Sequence, residues 1–160
     1  MPQENKHTKS LAIVFWILTA MCMVAIFYFS SRPATQSAGQ SSVVTLFLQK
    51  LFHTEAITEH MVRKAAHFTE FTGLGFLTNS AVYFTKRKRN LAIGIAIGSA
   101  YAATDEIHQI FVDGRSCQFT DWALDTLGVV TGALIFLILY LIIRKIIEHK
   151  TIKDLRRYKK

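Results

Sequence analysis

Cysteine is scarce in this sequence, which has only Cys22 and Cys117 among its 160 residues. Cys22 lies deep in an apolar run and Cys117 lies in a short polar loop, so we do not expect them to approach within the ~6 Å that a disulfide requires. The chain also lacks a CxxC motif and any Cys and His cluster with zinc-ligand spacing. No disulfide framework and no metal site are therefore assigned from the sequence.

Acidic residues are also few, since 11 Asp and Glu against 19 Lys and Arg give a formal charge of +8. Such an excess would suit a nucleic-acid partner, but no aromatic residues are interleaved with the basic ones, as a single-strand binder needs. Most of the basic residues instead flank apolar runs, at 86–89 and 144–160, which is typical of cytoplasmic flanks of membrane helices. We therefore expect the lipid bilayer, and no nucleic acid, as a partner of a single domain.

Four apolar runs predict an all-α integral membrane bundle of four transmembrane helices, at residues 11–30, 65–84, 91–112 and 122–143. The first run has about 20 residues and matches the ~30 Å hydrocarbon core of a bilayer. A signal peptide is the competing interpretation, but its apolar stretch is usually only ~7 to 15 residues long, so we favour an uncleaved helix. Polar residues interrupt the second run, so we expect it to span only where it packs against other helices.

The basic residues also predict an orientation. Lys and Arg number 14 on the side of the membrane that holds the two termini and 5 on the other side. Because positive flanks mark the cytoplasm, we expect a multi-pass protein of the cell membrane with both termini inside. Its parts would be a cytoplasmic N-terminus (1–10), a four-helix membrane domain (11–143) and a basic cytoplasmic tail (144–160), which would lie on anionic lipid as a helical extension.

The long loop between the first two predicted spans has two parts. A serine-rich segment with Pro33 predicts turns and flexible backbone over about 30–42. Residues 43–52 then place Val44, Phe47, Leu48 and Leu51 on one helical face. This pattern predicts an interfacial or re-entrant helix over the outer leaflet, or equally an amphipathic cap over the bundle, and periodicity does not separate these alternatives.

The predicted topology gathers polar residues in the outer layer of the membrane. Charge at the centre of a membrane helix costs roughly 3 kcal/mol per group and is usually retained for a function. The ionisable and amide residues concerned are His67, Glu70, Asp105, Glu106, His108, Gln109, Arg115, Asp121 and Asp125. Glycines share helical faces with several of these acids, as Gly94 and Gly98 do with Asp105, so we expect those faces to point inward. The sequence thus predicts one outward-facing polar cavity.

Several of these residues have a purely structural alternative. His67 and Glu70 would then only hydrogen-bond between helices, and Asp121 would be the N-cap of the last helix. Arg115 would lie in a solvated turn, and Arg63 is assigned to the membrane interface. Glu106 lies off the glycine stripe, so its partner is expected on another helix or among lipid headgroups.

Three segments together resemble the VanZ family of membrane proteins: FYFSSRPATQSAGQSS, RKAAHFTEF and YAATDEIHQIFVDGRSCQFTDWALDTLG. The resemblance covers about residues 27–133. It implies a functional set made of Lys64, His67, Glu70, Asp105, Glu106, His108, Gln109, Arg115, Asp121 and Gly128. Phe71 stands where such proteins often have tyrosine, and Asp125 stands where asparagine is common, which adds an acid to the cluster.

The resemblance implies a cell-envelope function, because the family is named after a protein that lowers susceptibility to teicoplanin, a lipoglycopeptide antibiotic. The first hypothesis is a polar pocket in which Arg115 and Lys64 help to bind a lipid-linked cell-wall precursor or a lipoglycopeptide. The second is an intramembrane hydrolase or transferase acting on lipid headgroups, without an identified cofactor. Its candidate catalytic residues are His67, Glu70, Asp105, Glu106, His108 and Asp121, with carboxylates tuning the histidines or holding a divalent metal. The third is proton-coupled transport or assembly, which four short helices would perform only as a homo-oligomer.

Overall fold

The computed structural model describes the backbone of residues 6–158 and the side chains of residues 8–39 and 41–153. All of the regular secondary structure in the described residues is helical, which confirms the all-α class. The helices are α1 (Lys6–Ser30), α2 (Ala34–Phe52), α3 (Glu59–Lys86), α4 (Leu91–Gln109) and α5 (Phe119–Tyr158).

Two helices are long and apolar enough to cross a membrane, through Thr8–Ser30 of α1 and Phe119–Lys153 of α5. Only 17% and 28% of their most apolar windows are buried, whereas the core helix of a soluble protein would be mostly buried. The other two predicted spans do not reach the same mean hydropathy. In α4 the reason is its polar last turns, which carry Asp105 and Glu106 and offset an otherwise apolar helix.

Helix α3 is the centre of the bundle and packs against each of the other four helices. The core lies where α3 meets α1, α4 and α5, and it consists of Ile26, Phe71, Leu74, Ala102 and Val129. Glycine allows the backbones of α3 and α5 to come very close. A Cβ atom at Gly132 would overlap the carbonyl oxygen of Thr72, and one at Gly128 would overlap that of Phe68.

The inward glycine faces predicted from the sequence are confirmed. In α4, Gly94 and Gly98 are buried with Asp105 and Gln109. A Cβ atom at Gly98 would contact the side chain of Val129 on α5. Close helix approach through small residues is therefore the packing mode of this bundle, as in many membrane proteins.

Most of the serine-rich segment is helical: the prediction of turns holds for residues 31–33 and was wrong from Ala34 onward. Only three residues separate α1 from α2, which begins after Pro33 at its N-cap. The hydroxyl of Ser42 donates to the carbonyl of Gly39 in its own helix, so this serine is accommodated within helical backbone. The N–H-free ring of Pro33 suits a helix start, and it fixes where α2 begins.

Helix α2 contacts α3 alone among the helices and turns its apolar side away from the bundle. Thr45 is buried against the protein, whereas Val43, Leu46 and Phe47 are each at least 65% exposed. An amphipathic cap would bury the apolar face. The observed arrangement instead favours the interfacial alternative, in which that face contacts lipid.

Residues 110–118 connect α4 to α5 and are held by local turns. Helix α4 ends at Gln109, three residues before the predicted end, and Gly114 adopts a left-handed φ of 73°. The backbone N–H of Ala34 donates to the carbonyl of Asp113 at 3.1 Å, which joins this turn to the start of α2. Helix α5 then continues without a break into the basic tail, so the tail is helical as expected through Tyr158.

Candidate ligand-binding site

The antiparallel packing brings four helix ends together. The C-terminal ends of α1 and α4 meet the N-terminal ends of α3 and α5, as shown by contacts of Ser30 with Asp105 and of Lys64 with Asp121. We call this the polar end of the bundle. The sequence-predicted polar residues all lie at or near it.

Asp105 is a deeply buried carboxylate of the polar end, with 2% of its surface exposed. Its Oδ2 atom accepts hydrogen bonds from the Ser30 hydroxyl at 2.8 Å and from the Gln109 amide at 3.0 Å. Its Oδ1 atom is buried without a hydrogen-bond partner in the described residues. Asp105 therefore links α1 to α4 and orients the side chain of Gln109.

Glu106 has a backbone partner. Its Oε2 atom accepts a hydrogen bond from the N–H of Gln118, at 2.9 Å, just before α5 begins at Phe119. The first N–H groups of a helix lack partners within it, and a carboxylate there is favoured by the helix dipole. Glu106 thus caps α5 from another helix, which explains why it lies off the glycine stripe.

Asp121 lies within the first turn of α5 and is not its N-cap. Its carboxylate accepts a hydrogen bond from the Lys64 ammonium at 2.6 Å, with about a third of each side chain exposed. Asp125 lies one turn further along the same helix and is 2% exposed. The start of α5 thus provides one acid paired with α3 and a second acid directed at the interior of the polar end.

Arg115 is held by the connection between α1 and α2. It donates to the carbonyls of Arg32 at 3.1 Å and Phe29 at 3.4 Å, and to the hydroxyl of Ser37 at 2.8 Å. Burial lowers the pKa of this guanidinium, which is nevertheless charged because arginine does not deprotonate in proteins. The side chain of Arg115 is therefore anchored to this connection, whereas its neighbours Gly114 and Ser116 are exposed, as a solvated turn would be.

Two adjoining cavities open at the polar end, where the sequence predicted one. The first, which we call the polar cavity, has a volume of about 90 Å³ and is lined by seven of the predicted residues: Lys64, His67, Glu106, Gln109, Arg115, Asp121 and Asp125. The second, the side cavity, has about 250 Å³ and lies between α2 and α3, with Glu70 in its wall. Arg63, His67 and Arg115 line both cavities.

Two predicted polar residues line neither cavity, and nor does Gly128, which packs against Phe68 of α3. His108 is turned toward α1, where its Nε2 atom lies 3.0 Å from the Ser31 hydroxyl and its ring packs on Phe27 with centroids 4.4 Å apart. Asp105 is buried beneath the cavities by its bonds to Ser30 and Gln109. Their positions in the last turns of α4 were predicted correctly, but periodicity alone did not separate the side facing α1 from the side facing the cavity.

His67 is the histidine at the junction of the two cavities. Its Nδ1 atom is 3.9 Å from Glu70 Oε2, and it is buried without a hydrogen-bond partner in the described residues. This nitrogen is covered and faces Glu70, whereas other atoms of the His67 side chain line the two cavities.

Sequence reasoning missed Arg63 and His60. Both line the polar cavity, and Arg63 donates to the His60 Nδ1 atom at 3.2 Å. The missed signal is helical spacing, because residues 60, 63, 64 and 67 lie on one face of α3. Arg63 precedes an apolar run, and a basic residue in that position is typical of a membrane interface.

The charges of the polar end are unevenly paired. Lys64 is neutralised by Asp121, whereas neither Arg63 nor Arg115 has a carboxylate within 4.0 Å in the described part of the chain. No three His, Cys, Asp or Glu side chains in that part are arranged to hold a metal ion. The arrangement can therefore bind an anionic group at the two guanidiniums and hydroxyl groups at the carboxylates.

A family model described as VanZ/LLP1 matches residues 15–140. The match covers every residue that lines the two cavities and all of the contacts that join the four helix ends. Comparisons with curated proteins and with solved structures gave no match.

Proposed function

The chain belongs to the VanZ/LLP1 family of membrane proteins, and we propose that its polar end binds the phosphate-bearing headgroup of a lipid-linked cell-wall component. One observation carries the proposal. Arg63 and Arg115 line both cavities, and neither has a carboxylate partner in the described residues. Two guanidiniums without a direct ion pair at a membrane surface provide a site for a phosphate group, although Glu70, Asp105 and Glu106 lie near enough to attract Arg115.

Arginine is suited to this role because its planar fork donates two hydrogen bonds at once to a phosphate. Arg115 is already positioned by three neutral acceptors, Arg32, Phe29 and Ser37, so it loses little side-chain freedom on binding. These acceptors occupy its Nε atom and one terminal nitrogen, which leaves the other terminal nitrogen as its donor to a phosphate. His67 lines both cavities together with the two arginines, and its ring would donate a further hydrogen bond to the phosphate when protonated.

The acids of the polar cavity suit the sugar that such a lipid carries. Glu106, Asp121 and Asp125 present carboxylate oxygens to the same small space as the amide of Gln109. Sugar hydroxyls donate to such acceptors. A volume of about 90 Å³ admits one polar substituent rather than a whole saccharide, so the remainder would lie at the membrane surface.

The side cavity provides an apolar path for the lipid chain. Phe29, Val44 and Val62 form part of its wall, and its charged residues are those next to the proposed phosphate position. A ligand with a phosphate between a sugar and a hydrocarbon chain therefore matches the order of polar cavity, guanidiniums and side cavity. Binding of such a precursor at the polar end, or direct binding of a lipoglycopeptide there, would alter the access of teicoplanin to its target.

The proposal includes four helices that cross the membrane, with the polar end of the bundle on the outer side of that membrane. Helix α4 has 19 residues and is about 28 Å long, close to the hydrocarbon thickness. Helix α3 is longer, at 28 residues. Both pack antiparallel to their chain neighbours. The surplus of Lys and Arg on the side of the termini supports a cytoplasmic location for both ends of the chain.

His67 supports a second candidate function, hydrolysis or transfer at the headgroup. A histidine in the wall of both cavities, next to the proposed phosphate position, could act as a general acid or base. Glu70, 3.9 Å away, would orient or charge the ring. This candidate differs from simple binding because it requires turnover.

The test is retention of a defined lipid by the purified protein in nanodiscs. Polyprenyl monophosphate and the corresponding polyprenol are offered in equal amounts, and bound lipid is measured by native mass spectrometry. We expect preferential retention of the phosphate, reduced by about tenfold in Arg63→Gln, since a charge-assisted hydrogen bond contributes ~1.5–3 kcal/mol. Arg32→Gln is the matched control, because Arg32 packs on the ring of Tyr28 and lines neither cavity.

Equal retention of the alcohol and the phosphate would refute the proposal. The second candidate is tested with a polyprenyl diphosphate in the same nanodiscs. Release of phosphate by the wild-type protein, abolished in His67→Gln, would establish catalysis. Retention without release would leave binding as the function.

A further inference from the structure

A groove of about 630 Å³ lies between α1, α3 and α5, at the end of the bundle opposite the polar end. Its walls are apolar and aromatic, and they include Phe15, Phe84, Phe136 and Ile143. None of its lining residues belongs to the polar cavity or the side cavity. The headgroup site proposed above therefore does not account for this groove.

The groove lies at the depth of a membrane interface. Arg144, in its lining, is about 33 Å along α5 from Trp122 at the polar end, which is close to the thickness of the hydrocarbon core. Tyr83 and Tyr140 line the groove with ring centroids 5.2 Å apart. The indole of Trp16 donates to the Thr85 hydroxyl at 3.0 Å, and Trp and Tyr are enriched at this depth.

Positive charge surrounds the groove. The guanidinium of Arg89 lies 5.6 Å from the ring centroid of Tyr140, at the edge of the groove. Arg89 ends a run of four basic residues, 86–89, and Lys145 follows Arg144 on α5. The described acid in the groove wall is Glu148, whose carboxylate accepts from the Nε atom of Arg144 at 2.7 Å. The remaining guanidinium donors of Arg144 lie on its two terminal nitrogens.

We propose that this groove is a binding site for an anionic phospholipid, with an acyl chain against the aromatic wall and the phosphate at Arg89 and Arg144. The apolar wall suits a hydrocarbon chain, and the rim has the opposite charge to the headgroup. A second copy of this chain would bring a second basic rim to the same place, and like charges would repel. A zwitterionic lipid would fill the groove but would gain no net attraction from the rim.

The chain contains its own reporter for this site, because it has only two tryptophans. Trp16 follows Phe15 of the groove wall along α1 and donates to Thr85, which follows Phe84 of the same wall, whereas Trp122 donates to the Ser99 carbonyl near the polar end. Because Trp16 is partly exposed and any surrounding lipid can quench it, the difference in its quenching by two acyl-brominated lipids, measured in a Trp122→Phe variant, reports which lipid is enriched at this end of the bundle. The vesicles contain equal fractions of brominated phosphatidylglycerol or of brominated phosphatidylcholine in a phosphatidylcholine background.

We expect brominated phosphatidylglycerol to quench Trp16 at severalfold lower mole fraction than brominated phosphatidylcholine. Arg144→Gln and Arg89→Gln should each reduce that preference by about fivefold, the effect of one basic residue near a membrane surface. Glu148→Gln should increase it, because it removes the negative charge and releases Arg144. Lys150→Gln is the matched control, since it removes a positive charge from the same helix outside the groove lining and its basic rim.

Equal quenching by the two lipids would overturn the proposal, and so would a loss of preference as large in Lys150→Gln as in the arginine variants. Trp122→Phe removes a hydrogen bond between α5 and α4. The same arginine and lysine variants are therefore also made in the protein that keeps Trp122, and the lipid that each retains is measured by native mass spectrometry. Retention of phosphatidylglycerol that is unchanged in Arg89→Gln and Arg144→Gln would refute the site independently of fluorescence.

Discussion

Ser30 and Asp105 are 75 residues apart in the chain and are joined by a buried hydrogen bond of 2.8 Å. Ser30 is the last residue of α1, and Asp105 lies in the last turns of α4. Their contact fixes the two helix ends side by side and leaves Gln109, the other donor to the same carboxylate oxygen, directed at the polar cavity. The polar cavity is therefore supported by Ser30 and Asp105, whose side chains do not line it.

Replacement of Ser30 by alanine should destabilise the protein by about 1–3 kcal/mol, because a buried carboxylate loses one of its two donors. The measurement is unfolding in mixed detergent micelles, followed by circular dichroism. Ser42→Ala is the control, since its hydroxyl bonds only within α2. Equal stability of the two variants would show that the bond between α1 and α4 has no net effect.

Replacement of Gly132 by alanine tests the close contact of α3 and α5. The added methyl group would overlap the Thr72 carbonyl and the Phe76 amide nitrogen, and overpacking typically costs about 1–3 kcal/mol. Gly73→Ala is a matched control on α3, where nothing lies within 4 Å of the new Cβ atom and alanine favours the helix by about 1 kcal/mol. Gly132→Ala should thus lower the free energy of unfolding and Gly73→Ala should raise it. A stabilised Gly132→Ala would contradict the close contact of α3 and α5.

The helices and their inward faces could be predicted because hydrophobic runs and glycine spacing report directly on burial. Gly94, Gly98 and Asp105 follow one helical stripe, and all three are buried. The segment after Pro33 could not be predicted in the same way. Its serines favour turns in isolation, but contact with α3 and a proline at the helix start stabilise helical backbone there.

The residues of the polar end were predictable, but their partners were not. Glu106 binds a backbone N–H that belongs to the next helix, and Arg115 binds carbonyls more than 80 residues earlier in the chain. Such contacts depend on the relative height and rotation of packed helices, which periodicity does not fix. Arg63 was missed for the related reason that a basic residue at a helix start is common at membrane interfaces.

The two cysteines provide a test of the proposed topology without further engineering. Cys117 is exposed in the turn between α4 and α5, whereas Cys22 is half-buried within α1. A membrane-impermeant maleimide should therefore label the protein in intact cells, and Cys117→Ser should abolish the labelling. Labelling that appears only after the membrane is permeabilised would place the polar end inside the cell and contradict the proposed outer location.

The proposed link to lipoglycopeptides is tested by drug susceptibility in a sensitive strain that expresses the protein. We expect the wild-type chain to reduce susceptibility to teicoplanin and Arg63→Gln to restore it, because the second unneutralised guanidinium of the cavities is lost. Arg63 is preferred to Arg115 because Arg115 also donates to Arg32 and Ser37, so its removal would disturb the connection between α1 and α2. Membrane levels of each variant are compared by immunoblot, with Arg32→Gln as the charge-matched control. Unchanged susceptibility on expression of the wild-type protein would reject the resistance function, and the phosphate-retention assay would then decide separately whether the polar end binds lipid headgroups.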